Sequence, residues 1–183
     1  MSRSALVLLA PGFEEIEATC PIDLLRRAEV QVTVAAVGED LLVTGRSELT
    51  LHADCLLSEV LNQNFDLLVL PGGPAVFDLR KQHRVLDLIR RFHLEERIIA
   101  AICAAPLLLL DAGLLPGPRH TAHGSVVDEL PDLVTDSETI TDGTLITSRG
   151  AGTAVSFGLA LVRALCGPGP AETLRQSIHA PSS

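Results

Sequence analysis

Short apolar runs recur along this chain, and turn residues and a helical pattern follow most of them. ALVLLA (5–10) leads into a helical stretch over 14–28, in which Ile16, Ile22 and Leu25 are placed on the inward face. QVTVAAV (31–37) is β-branched and strand-like, and residues 41–52 alternate weakly around Gly45, which predicts a small β-hairpin. FDLLVLPGG (65–73) is a buried strand ending in a Pro-Gly-Gly turn, and VLDLIRRFHLEE (85–96) has helical period. RIIAAI (97–102) predicts another strand, with a helix over 104–112, then GTLITS (143–148), a helix over 153–165, and one last short helix after Gly167. Strands apolar on both faces and alternating with helices require a sheet covered on each side. The chain therefore reads as one doubly wound α/β domain over 1–183, a parallel sheet sandwiched by helices, with no internal repeat and no linker.

Such folds bind ligands beyond the carboxyl ends of their strands, so the groups just after each strand carry the functional information. After the first strand come Pro11, Gly12 and a run containing Glu14, Glu15 and Glu17. Gly72 and Gly73 follow the strand at 67–70, and their bare α-carbons let backbone N–H groups approach a ligand closely. Cys103 stands where a strand passes into a helix, beside N–H groups that have no helical partner; these and the helix dipole favour a thiolate. Pro106 suits the first helical turn. A free cysteine is equally at home as a buried packing residue, so pattern alone leaves Cys103 open between packing and reaction. His120 and His123 lie in the loop after Gly117. Of these, His120 is read as structural, as are His52, His83, His93 and His179.

Composition removes several function classes. Aromatic residues are 3% of the chain, with no Trp or Tyr, so there is no base-stacking platform, and a net charge of −9 opposes a phosphate backbone. The apolar run at 5–10 is too short for a signal-peptide core, and the leucine run at 107–110 is far short of a membrane span. A cytoplasmic protein is expected, with four free thiols; no C-x-x-C pair suggests zinc or a redox dithiol. Gly150 and Gly152 in RGAGTA are a weak cofactor signal and are read as helix-on-strand packing.

Four motifs, APGFEEIEA, VLPGG, AICAAP and TSRGAGTA, occur in order from about Ala5 to Leu165. Together they resemble the ThiJ/PfpI superfamily, and within it the YajL-like bacterial branch. The resemblance implies a flavodoxin-like sandwich, a homodimer, and a reactive cysteine at a strained nucleophile elbow, here Cys103. It assigns the acidic partner to Glu17 and the histidine to His123, with Gly72, Gly73 and the N–H of Ala104 as backbone donors around the thiol. Protease-like members have a histidine directly after the cysteine; Ala104 stands there instead, which makes a peptidase unexpected.

The activity so implied is attack of Cys103 on reactive carbonyls: methylglyoxal, glyoxal, or early glycation adducts on proteins or nucleotides, with no metal or organic cofactor. The alternative is a redox-responsive chaperone or oxidative-stress sensor using the same thiol without turnover. Thiamin biosynthesis, suggested by the superfamily's naming, finds no supporting residue. For the pair itself, the sequence predicts a lowered thiol pKa at Cys103 and a protonated carboxyl at Glu17.

Overall fold

The strand β1 (Ser4–Leu9) lies between two parallel neighbours, β2 (Gln31–Ala36) and β6 (Leu67–Leu70), with Leu6 level with Thr33 on one side and Leu68 on the other. Its side chains alternate between two cores: Leu6 and Leu8 enter one, Ala5 and Val7 the other. β6 divides in the same way, Leu68 and Leu70 against Leu67 and Val69. This period of two, buried on both sides, is why these strands appear as unbroken apolar runs.

These relations come from a computed structural model describing residues 3–181; the two outermost residues at each end of the expected 1–183 domain lie outside the described residues. The remaining elements are α1 (Glu15–Arg27), the hairpin β3 (Leu42–Thr44) and β4 (Thr50–His52), β5 (Cys55–Leu56), α2 (Leu57–Val60), α3 (Ala75–Leu79), α4 (His83–Leu94) and β7 (Ile98–Ile102). After them come α5 (Pro106–Asp111), β8 (Thr139–Asp142), β9 (Leu145–Ser148), α6 (Ala154–Cys166) and α7 (Pro168–Ser177). The main sheet has the order β5-β2-β1-β6-β7-β9-β8, so the order reverses beside β1 and opens the crevice expected of a doubly wound fold. α4 and α5 cover one face through Leu86, Ile89, Phe92 and Leu107–Leu109; α1, α6 and α7 cover the other through Leu25, Phe157, Leu161 and Leu174. No helix among the described residues is long and apolar enough to cross a membrane.

The flavodoxin-like expectation holds, with three local differences. The sheet is not wholly parallel, because β8 pairs antiparallel with β9 through a two-residue turn at Gly143, whose φ is +58°. Only Ile140 of β8 is buried, so the strand lacks the apolar run that marks the others. α5 starts at Pro106 rather than Ala104, and Cys103 to Ala105 form a turn. Ile16, placed on the inward face from the sequence, is 53% exposed, while its neighbours Glu15 and Glu17 are buried. The first turn of α1 faces the hairpin and the strand ends, so polar partners rather than the apolar core occupy its inner side.

Candidate active site

Cys103 has φ +66°, in the left-handed region that L residues with a Cβ rarely adopt. Three interactions hold it there. Its N–H donates to the Ser148 carbonyl at 2.9 Å, its carbonyl accepts the His123 N–H at 2.9 Å, and Ala105 N–H donates back to Ile102 at 3.0 Å. The end of β7 is thereby tied to the end of β9 and to the 123 loop, and the thiol is half-buried at the top of the sheet.

Glu17 reaches the same point from the first turn of α1 and is 1% exposed. Glu14 caps that helix, its carboxylate accepting the Glu17 N–H at 2.8 Å. The Gly72 N–H donates to Glu17 Oε2 at 2.9 Å. A Cβ on Gly72 would lie 2.5 Å from that oxygen, 2.6 Å from Cys103 Cβ and 2.9 Å from the Ile102 carbonyl, so only glycine fits between acid and thiol. Gly73, φ +95°, is confined likewise against the Gly12 carbonyl and the Glu14 nitrogen. Gly72→Ala is therefore expected to destabilise the fold by about 1–3 kcal/mol through overpacking and to slow alkylation of Cys103. Urea unfolding and a timed iodoacetamide reaction check this; wild-type values for both would mean that the acid and thiol do not converge on Gly72.

Burial pushes the Glu17 carboxyl up to about 7, and the nearby Glu14 charge adds to this; hydrogen bonding with Cys103 and the Gly72 N–H, and the Arg46 charge, act the other way. The thiol departs from expectation. Burial, then the charge of Glu17 and hydrogen bonding with it, push Cys103 up to about 12, while the N–H groups of Gly73 and Ala104 pull it down. The lowered thiol pKa read from the sequence presumed a helix starting at once after Cys103. With α5 beginning at Pro106, the sulfur has two backbone donors and a carboxylate beside it instead. Acid and thiol form one coupled pair that resists carrying two negative charges.

The structure thus brings Cys103, Glu17, Gly72, Gly73 and Ala104 together, but Gly72 serves differently from expectation, because its N–H orients the carboxylate instead of facing a substrate. His123 is fixed by its backbone to Cys103, but its ring is exposed. Nδ1 accepts the Ser125 N–H at 3.1 Å, which leaves the neutral ring's proton on Nε2. The ring edge and Glu17 Oε1 flank Gly150, at 3.3 and 3.7 Å from where a Cβ would stand. Gly150 therefore borders the site, a role that the packing reading missed, whereas Gly152 has open space around it. Ser148 was also missed; it is fully buried, and its hydroxyl donates to the Glu138 carbonyl at 2.8 Å. Among the described residues no group of three or more His, Cys, Asp or Glu is arranged to hold a metal ion.

Comparison with known proteins finds relatives over most of the chain. The pattern of the DJ-1/PfpI family matches residues 3–164. Protein dj-1beta of Drosophila melanogaster is 39% identical over 171 residues, covering 91% of each chain. Its crystal structure superposes with a TM-score of 0.96 at 36% identity over the whole of both chains. Oxidized DJ-1 of Toxoplasma gondii gives a TM-score of 0.95 at 30% identity, covering 99% of this chain and all of that one. A protein of Pyrococcus abyssi named a deglycase is 31% identical over 150 residues, 80% of this chain and 90% of its own.

Proposed function

The chain belongs to the DJ-1/PfpI family, and on that footing we propose that it is a cysteine-dependent enzyme acting on reactive carbonyls. The observation that carries this reading is the buried Glu17 carboxyl, pushed up to about 7 and meeting across Gly72 a thiol at a positive-φ turn. A thiol that resists ionisation needs a base in contact with it, and a carboxyl near neutrality serves as both base and acid. Cys103 Sγ adds to the aldehyde carbon of methylglyoxal, and its proton passes to Glu17. The carbonyl electron pair moves to oxygen, where the N–H groups of Gly73 and Ala104 stabilise it. Glu17 returns its proton to that oxygen, giving the hemithioacetal. It then takes the proton from the former aldehyde carbon and delivers it to the neighbouring one, while the hydroxyl proton passes to the ketone oxygen, leaving the lactoyl thioester. Water cleaves the S–C bond, releasing lactate and restoring the thiol. His123, at the exposed rim, orients that water through Nε2. Deglycation shares the first addition step, and the deglycase name of the Pyrococcus relative supports that variant.

The reduced protein is expected to convert methylglyoxal to lactate without added cofactor. Chromatographic detection of lactate checks this, and no product above the buffer rate sinks the reading. The redox alternative keeps one specific support: a protonated Glu17 can donate a hydrogen bond to an oxidised sulfur. It calls for suppression of client aggregation without turnover. Self-association as a homodimer belongs to the same proposal. Ile16, Leu42 and Leu49 are 53, 57 and 61% exposed on α1 and the adjoining hairpin, an apolar surface suited to a second copy. Sedimentation is expected to give about twice the 19.4 kDa chain mass, and a species of chain mass at micromolar concentration would exclude the dimer.

A further inference from the structure

A glutamate three residues after a helix cap ordinarily folds its carboxylate back onto the N–H of the capping residue. Glu17 stands in that position behind the cap Glu14, but its carboxylate points elsewhere. The Glu14 N–H donates to the Gly72 carbonyl at 3.0 Å, and Glu17 Oε2 accepts the Gly72 N–H at 2.9 Å. The Glu17 N–H in turn donates to Glu14 Oε2 at 2.8 Å, so the bonds close a ring through Glu14, Gly72 and Glu17. Gly73 permits the close approach. A Cβ there would stand 2.6 Å from the Gly12 carbonyl and 2.7 Å from the Glu14 nitrogen, so the turn after β6 lies directly against the segment that leads into α1.

The ring sets the direction of the acid. With the Glu14 N–H already engaged, the Glu17 carboxyl is left to the ends of β6 and β7, where Gly72 stands between it and Cys103. The ring also places a second carboxylate within one helical turn of the first. We propose that Glu14 is a positioning residue for the Cys103–Glu17 pair, turning the Glu17 carboxyl toward the thiol and standing a like charge beside it. Titratable and charged groups face Glu17 from each side: Cys103 from the end of β7, Arg46 from the hairpin, His123 across Gly150, and Glu14 from the head of α1. Burial does most to keep the proton on Glu17, and the Glu14 charge adds to it, against the Arg46 charge. Glu14 thus serves the acid twice, through its backbone N–H and through its carboxylate.

The inference rests on Glu17 as the proton carrier of the proposed reaction. Its test needs no substrate, so a failed lactate assay and a failed test are separate results. The Glu17 carboxyl carbon and the Gly72 amide proton that donates to it are followed by NMR from pH 4.5 upward. The proteins are wild type, Glu14→Gln, Glu14→Asp and Glu14→Gly. In wild type both signals should titrate together about pH 7. Glutamine keeps an acceptor for the Glu17 N–H without the charge, and aspartate keeps both. Glu14→Gln is expected to lower the midpoint by about half a pH unit, and Glu14→Asp to stay near wild type. Glycine removes the acceptor at small cost to the helix, and the pH-dependent shift of the Gly72 amide should shrink as the carboxyl loses its direction. An unmoved midpoint in Glu14→Gln would reduce Glu14 to a helix cap. A Glu14→Asp midpoint displaced as far as that of Glu14→Gln would show that the charge plays no part. A Gly72 amide that titrates in Glu14→Gly as in wild type would show that the Glu14 side chain does not aim the acid. If Glu14→Gln fails to fold, Glu14→Ser, a neutral cap, takes its place with the same expected shift and the same overturning result.

Discussion

Replacing Glu17 with glutamine is expected to lower methylglyoxal turnover by roughly a hundred- to ten-thousand-fold, the range of a lost general acid–base, while Cys103 stays open to alkylation. Glutamine preserves the acceptor for the Gly72 N–H at Oε2 and the volume between Gly72 and Cys103. It cannot take the thiol proton or carry a proton between carbons. The Glu17 charge also pushes the thiol up, so its removal eases ionisation of Cys103. Loss of turnover beside an undiminished alkylation rate separates proton transfer from nucleophile access. Cys103→Ser provides the reference, because without sulfur both readouts fall to background. In wild type, kcat/KM should rise with pH as the pair loses its first proton, about pH 7, and this limb should vanish in Glu17→Gln. Normal turnover by Glu17→Gln would exclude Glu17 as the proton carrier.

Where the sequence was legible, one physical requirement dominated each residue. Leu6, Leu68 and Ile99 must be apolar because helices cover both faces of the sheet, so the strands could be read directly. Gly72 had to be glycine because acid, thiol and a carbonyl converge on its α-carbon, and the Pro-Gly-Gly turn marked it. Legibility failed where long-range partners overruled local pattern. Ile16 and Glu15 exchange the faces that amphipathicity assigns them, because the 45–49 turn, about 30 residues on, supplies N–H groups to a buried carboxylate. β8 is held by one partner strand and buries one side chain, too little to leave a period. Of the pair, the raised Glu17 carboxyl was read correctly, and only the thiol was misjudged, for the same reason. The turn from 103 to 105 delays α5, and burial of Cys103 beside Glu17 outweighs the backbone donors. The errors at Glu15, Ile16 and Cys103 lie at or beside the site, where local rules are most often broken, whereas β8 lies at the edge of the sheet.

That cost is measurable at Glu17. Its pKa is about 7 in the folded protein against 4.5 when exposed in the unfolded chain. Below pH 4.5 both states hold the proton, and the group is neutral to stability. Between 4.5 and 7 the folded state keeps a proton that the unfolded state has released, so stability falls as pH rises through this window. Above 7 the whole penalty is present, about 3 kcal/mol for a shift of this size. Cys103, pushed up to about 12, stays protonated throughout this range in both states and adds nothing to it. Glutamine at 17 has no proton to lose, so Glu17→Gln should match wild type near pH 4.5 and exceed it increasingly toward pH 8. For a chain of this length the gap corresponds to about 10 °C in Tm at pH 8. Calorimetry of both proteins from pH 4.5 to 8 checks the trend, with the inactive variant as the more stable one at neutral pH. A gap that stays constant with pH would show that burial does not hold the Glu17 proton, and the acid–base role argued for it would lose its physical basis.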